Sequence, residues 1–201
     1  MKKTLATLLL ALPVLALAAP ATWDVDSAHT SSAFAVRHLV ISTVRGEFGK
    51  TAGAVTFDDK DVSKSTVDAT IDATTIDTRE PKRDEHLRSP DFFDTAKYPT
   101  ITFKSTQVEK AGEGKLKVTG HLTLHGVTKP VVLDVAGPTA EVKDPWGNVR
   151  RGFSATARIN RQDFGLAFSK TIEAGPVVGD EVTISLDGEL IKKADPKTAA
   201  K

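Results

Sequence analysis

Apolar and polar side chains alternate along most of the chain with a period of two. Phe34 and Val36 open the pattern, followed by Val44, Gly46 and Phe48, by Gly53, Val55 and Phe57, by Val67, Ala69, Ile71 and Ala73, and by Ile101 and Phe103. It continues through Leu116, Val118, Gly120, Leu122 and Leu124, through Val131, Leu133 and Val135, through Phe153, Ala155, Ala157 and Ile159, and through Val182, Ile184, Leu186, Gly188 and Leu190. Successive side chains of a strand point to opposite faces, so this pattern predicts at least eight strands, each with one apolar and one polar face. Such strands pair antiparallel and bury a single face, as in a closed barrel or a sandwich. Gly112-Glu113-Gly114 predicts a turn between antiparallel neighbours, and Gly126 to Pro130 a short loop between the next pair. One short helix is predicted, with Pro81 in its first turn, Asp84 and Glu85 early, and Ser89-Pro90 to end it.

The start of the chain follows a different pattern. Lys2 and Lys3 precede an apolar run from Leu5 to Leu17 that ends in Ala16-Leu17-Ala18. This reads as a secretory signal peptide over residues 1–18, since the run is shorter than the roughly 20 residues a membrane span needs. Past it lie 18 valines, 22 threonines and eight isoleucines against nine leucines, a strand composition. The same stretch carries 25 basic and 26 acidic side chains, which leaves nucleic-acid binding without an electrostatic basis. With no cysteine anywhere, disulfides, thiolate metal sites and a cysteine nucleophile are excluded. A single barrel is expected over residues 19–191, with a lysine- and alanine-rich flexible tail over 192–201.

Small residues occupy many inward positions: Gly46, Gly53, Ala69, Ala73, Gly120, Ala155, Ala157 and Gly188. An eight-stranded barrel lined this way has room for one ligand. The glycines read equally well as bulges and barrel corners.

Catalytic chemistry finds little support. On one strand His121 and His125 would lie about 13 Å apart at ~3.3 Å per residue, too far to share a zinc ion, and they alternate with Leu122 and Leu124. Both are expected at the surface. No nucleophile elbow, zinc helix, P-loop or dinucleotide fingerprint is present. The expectation is therefore a non-catalytic protein without a cofactor or metal.

The densest cluster runs from Arg79 to Asp94, where a basic helix meets Phe92 and Phe93. It could cap a barrel mouth, the phenylalanines closing an apolar cavity while Arg79, Arg83 and Arg88 face an anionic head group. Simple packing of a solvated helix explains the same residues. At this cluster the chain resembles the YceI-like family of exported proteins. The motifs are Trp23-x-Val25-Asp26-x-x-His29 with Phe34-x-Val36-x-His38; Arg83-Asp84-x-His86-Leu87-Arg88-Ser89-x-Asp91-Phe92; and Lys97-Tyr98-Pro99-x-Ile101-x-Phe103. Further along come Leu122-Thr123-Leu124-x-Gly126-Val127-Thr128-Lys129-Pro130-Val131, Asp144-Pro145-Trp146-Gly147 with Gly152-Phe153, and Asp163-Phe164-Gly165.

The resemblance implies an all-β, lipocalin-like, eight-stranded antiparallel barrel with one short helix. It also implies a periplasmic carrier whose tunnel holds an isoprenoid lipid, either a polyprenyl phosphate or a quinone. Under it, Phe34, Val36, Phe48, Phe57, Ile101, Phe103 and Phe153 line the tunnel and Phe92 and Phe93 lie near its mouth, with Arg83, His86 and Arg88 as head-group contacts. Apolar burial discriminates weakly between prenyl and acyl chains, so a fatty-acid-type amphiphile is an alternative occupant. Two other readings stay open: a lipid hydrolase or isomerase using His38 or His86 beside Asp26 or Asp84, and a fully packed interaction module. A homodimer of facing barrels is also compatible with the sequence.

Overall fold

A computed structural model describes residues 20–173 and 175–194. The expected signal peptide and most of the expected tail lie outside the described residues. Eight antiparallel staves form the molecule, three of them interrupted. The first is β1 (Ala21–Val25) with β2 (Ser31–His38), the second β3 (Ser42–Phe48) with β4 (Thr51–Phe57), and the third β5 (Thr66–Asp72) with β6 (Ile76–Asp77). After helix α1 (Pro81–Arg88) come β7 (Thr100–Gly112), β8 (Lys115–Leu124) and β9 (Val127–Ala136). The two-residue β10 (Val142–Lys143) extends the sheet beside β11 (Val149–Asn160). A separate small hairpin, β12 (Thr171–Ile172) with β13 (Gly175–Pro176), precedes the last stave, β14 (Val178–Lys192).

Each stave pairs with the next in chain order, and β14 returns to the first. It pairs with β11 from Arg150↔Ile191 to Asn160↔Glu181, and with β2 and β1 as well. The sheet is therefore a closed antiparallel barrel, the form the resemblance predicts and one of the two the alternation allows. Its weakest lateral joint is β9 against β11, limited to Asp134–Ala136 with Ser154–Thr156. Beyond it the 3₁₀ turn Arg161–Phe164 follows β11 and packs against β9, burying Phe164.

The stave interruptions have a local cause. Asp26 accepts from the amide of Ala28 at 3.0 Å and Asp72 from that of Thr74 at 3.0 Å, so each carboxylate caps one 3₁₀ turn, the second inside the run Val67 to Ala73 that the alternation reads as strand. Ala73 accordingly opens such a turn rather than extending β5. The link between β8 and β9 is shorter than expected. Leu124 pairs with Val127, leaving His125 and Gly126 as a two-residue turn at φ 52° and 75°, and Pro130 lies inside β9 opposite His121. This is the mirror-image turn that suits strand twist. His125 is thus a turn residue, half-buried against Tyr98 with ring centroids 4.8 Å apart. His121 is exposed. At the other boundary, β14 runs to Lys192, whose ammonium meets Glu141 at 2.8 Å, one residue past the expected limit of the barrel.

The inward glycines serve close approach, not hollowness. A Cβ on Gly46 would lie 2.6 Å from the Phe34 ring, and one on Gly53 2.5 Å from the Asp68 carbonyl oxygen. At Gly120 it would meet the Phe103 ring and stand 2.6 Å from the Lys104 carbonyl oxygen. Phenylalanine rings therefore lie across Gly46 and Gly120 and fill the space they leave. Gly120→Ala is expected to cost about 1–3 kcal/mol through overpacking. Gly49→Ala, where the nearest atom stands 3.7 Å away, is expected to stay within about 0.5 kcal/mol of the parent in urea unfolding.

Candidate functional site

The barrel encloses a cavity of about 420 Å³, within the ~300–1,000 Å³ range of small-molecule sites. Its wall takes Val55, Val67, Ala69 and Ile71 from one side and Leu122, Val131, Ala155 and Ile184 from others. Most of the few hydroxyls on it are paired, Thr102 being the exception. Ser32 and Thr51 share a 2.7 Å hydrogen bond, Thr30 donates to the Asp26 carbonyl at 2.7 Å, and Ser65 accepts from the Asp58 amide at 3.1 Å. The interior thus offers an occupant almost no polar partner.

The two ends differ. At the end opposite α1, Trp23 is 1% exposed, with the Arg151 guanidinium 5.1 Å from its ring and 5.5 Å from that of Phe57. Arg151 is held by a bidentate pair with Asp59 at 2.8 and 3.1 Å, forming a floor. At the α1 end, Phe92 packs against Phe168 with centroids 4.7 Å apart, and His86 stands edge-on to both at 5.0 and 5.3 Å. Phe48 bridges Phe34 and Phe93 at 5.8 and 5.7 Å. These two aromatic groups frame the mouth. The charged groups on the cavity wall are Arg37, Arg83 and Arg161, with His38 and His86 beside them, and no carboxylate is among them.

Phe34, Val36, Phe48, Phe57, Phe92, Phe93, Ile101, Phe103 and Phe153 all lie on the cavity wall. Of the three basic residues expected to contact a head group, Arg83 and His86 reach it. Arg83 is tethered there, Nε donating to Thr78 Oγ1 at 2.7 Å and Nη2 to the Thr78 carbonyl at 2.8 Å. Arg88, also expected as a head-group contact, does not reach the wall: its Nη1 donates to the Ile76 carbonyl at 3.0 Å, which pins α1. Arg79 is exposed at φ 64° before the helix and is also off the wall. The histidine–carboxylate pairs imagined for catalysis do not assemble. His86 Nε2 lies 2.9 Å from Asp91, whereas Asp84 is buried and accepts from the Thr78 amide and hydroxyl at 2.8 and 2.5 Å. Asp26 meets His29 at 2.8 Å.

Phe168, Arg161 and Arg37 were not legible as site residues. Phe168 comes from the loop after Asp163-Phe164-Gly165, where only the alternation of Leu166 with Phe168 hints at an inward ring. Arg161 is buried and ties that loop to β14, donating to the Leu166 and Gly179 carbonyls and to Asp180 at 2.9 Å.

The YceI-like domain model matches residues 23–190. The chain belongs to the YceI-like family. A UPF0312 protein of Vibrio parahaemolyticus is 42% identical over 186 residues, covering 92% of this chain and 93% of the relative. The crystal structure of Burkholderia cenocepacia BcnA superposes with a TM-score of 0.69 at 25% identity, covering 84% of this chain and 99% of that one. A Saccharophagus degradans structure described as a polyisoprenoid binding domain has a TM-score of 0.62 at 17% identity, over 87% of this chain and 99% of that one, which shows a shared fold.

In this YceI-like chain, two of the motifs meet at one guanidinium. Arg150 Nη1 donates to Asp26 at 2.6 Å and Glu189 at 2.8 Å, and its Nε to Asp144 at 2.8 Å. Asp144 in turn accepts from the amides of Trp146 and Asn148 at 3.0 and 2.8 Å. Asp26, His29 and Glu189 are the one cluster with metal-ligand geometry among the described residues, and Arg150 already places a cation against two of its members. Hydrogen bonds from Arg150 and then His29 hold the Asp26 carboxyl at about 2. Burial pushes Asp144 upward, but the bonds from Arg150 and Asn148 prevail and hold it at about 2 as well. Arg150 is pushed up, by Asp144 first and then Asp26.

Both carboxyls have folded pKa values below their ordinary 3.8. The stability they lend is therefore complete above about pH 4 and lost as pH falls toward 2. Arg150→Met should lower the urea midpoint at pH 7, and the gap to the parent should narrow between pH 4 and pH 2. A gap that stays constant with pH would show that Arg150 acts without these carboxylates.

Proposed function

We propose that this protein binds an isoprenoid lipid, its tail in the barrel and its head at the α1 end, as an exported, non-catalytic carrier. The observation that carries this reading is a closed apolar cavity whose charged wall groups are exclusively basic and gathered at one mouth. An apolar chain gains about 0.8 kcal/mol for each methylene removed from water, and the wall is almost wholly apolar side chain, so little polar surface opposes that gain. At the mouth, Arg37 carries no carboxylate partner among its hydrogen bonds: it donates to Thr43 and to the Val40 carbonyl. An anionic head group, such as a phosphate, fits this setting better than a neutral quinone ring. The name of the Saccharophagus relative supports the prenyl assignment, and the run from Leu5 to Leu17 supports export to the periplasm. The floor of Trp23, Phe57 and Arg151 directs entry and exit to the α1 end, through Phe92 and Phe168.

Mass spectrometry of a solvent extract from protein purified out of its exporting host should reveal a prenyl lipid. Protein that carries none, and accepts neither polyprenyl phosphate nor ubiquinone, refutes the proposal. The paired variant Ala69→Leu and Ala155→Leu adds bulk at two wall positions and should reduce loading about tenfold or more while keeping the parent's circular dichroism. Phe168→Ala opens the mouth cluster and should speed ligand release more than it weakens folding, as read by displacement of a fluorescent prenyl analogue.

A further inference from the structure

Outside the cavity, the most unusual surface is the tip between β2 and β3. Leu39, Val40 and Ile41 connect the strands, with Val40 51% and Ile41 78% exposed. The backbone there is costly for these residue types, since Leu39 and Val40 sit at φ 52° and 64°. A β-branched residue in that region is a genuine outlier, and Asn or Gly would occupy it with less strain. The tip is nonetheless held firmly: the Leu39 amide donates to the Val177 carbonyl at 2.9 Å, and Arg37 Nη2 to the Val40 carbonyl at 2.6 Å. Beside it lies the β12–β13 hairpin, whose Ile172 is 45% exposed and whose Gly175 approaches the Val40 side chain.

The surroundings are basic. Residues 37–45 contain Arg37 and Arg45 and no carboxylate. The loop 166–173 adds Lys170, offset by the exposed Glu173. The tip also continues the cavity rim, because Arg37 and His38 precede it directly and Val177 hydrogen-bonds it, and all three belong to the wall.

We infer that this apolar tip, Val40 and Ile41 with Ile172 beside them, docks the α1 end of the barrel onto an anionic lipid bilayer. Protruding apolar side chains with Arg37 and Arg45 close by suit the interface, where the former enter the acyl boundary and the latter meet lipid phosphates, the nearby Asp180 being held by Arg161. A second copy of the chain suits it less well. The protrusion is a few residues across, far below the roughly 800 Å² per partner that a stable dimer buries, and a two-fold contact would oppose Arg37 to its own copy. This inference concerns the outer surface and stands whether or not the cavity is filled.

Flotation of the exported chain with vesicles of phosphatidylethanolamine and phosphatidylglycerol tests it. The parent should float, and less so in high salt. The double variant Val40→Asn and Ile41→Asn should lose at least about tenfold in vesicle affinity while its unfolding midpoint is unchanged or higher, because Asn tolerates the left-handed backbone. Trp146→Ala, altering the 82% exposed tryptophan beyond the opposite end of the barrel, should float like the parent. The inference is overturned if the parent does not float, if the tip variant floats equally well, or if Trp146→Ala alone abolishes flotation. A tip variant that changes a dimer to a monomer with flotation intact overturns it too. Lipid extracted from the same samples reports on the cavity separately, so loss of flotation with cargo retained, or the reverse, distinguishes the two proposals.

Discussion

Once β14 lies between β11 on one side and β2 with β1 on the other, every long stave has a neighbour on both sides, if only over three residues between β9 and β11, and all eight inward faces meet one interior. That closure sets the problem the rest of the side chains solve. A barrel of this size can be filled by its own residues or left with a space. Here the largest inward rings are drawn toward the walls and ends: Phe34 lies over Gly46 and Phe103 over Gly120, while Trp23 and Phe57 gather under Arg151. The rest of the wall is mostly valine, leucine, isoleucine and alanine, which do not close the space.

An unfilled middle shifts the work of stabilisation to the backbone ladder and to the ends, and the polar side chains follow. Arg150 joins Asp26, Asp144 and Glu189. Arg161 joins its loop to the start of β14, Arg83 and Asp84 tie the start of α1 to Thr78, and Arg88 ties its end to Ile76. The helix needs these ties because Leu87 is the single large apolar residue among its eight. Its position over the mouth is therefore set by hydrogen bonds to the strand that precedes it, and those bonds carry Phe92 and Phe93 into place.

This division explains what could be read from the sequence. Alternation reports which face of a strand is buried, so the barrel and its aromatic wall residues were legible, down to Phe153 in β11. Alternation is blind to a side chain that caps a turn, which is why Asp72 hid the interruption at Ala73. It is equally blind to glycine, whose missing side chain reads as space whether the neighbour is a cavity or a phenylalanine ring. Arg150 and Arg151 are adjacent on β11, yet one joins Asp26 and the other Asp59, 124 and 92 residues away in sequence. Nothing local marks such partners. The motifs marked Asp26 and Asp144 as special without stating that one guanidinium joins them.

Resolving the motif residues into ties also narrows the chemistry open to the cavity. A general base needs a free lone pair near the reacting atom and an orienting partner. Asp26 has its oxygens occupied by Arg150, His29 and a backbone amide, and Asp84 serves Thr78. His86 has a carboxylate partner in Asp91, but its ring stands edge-on to Phe92 and Phe168 at the rim, away from the apolar middle where a chain would lie. What remains for an occupant is a shape, a greasy wall and a basic rim. Those elements suit a long apolar molecule with a charged end, which the wall would select by shape and the rim by charge.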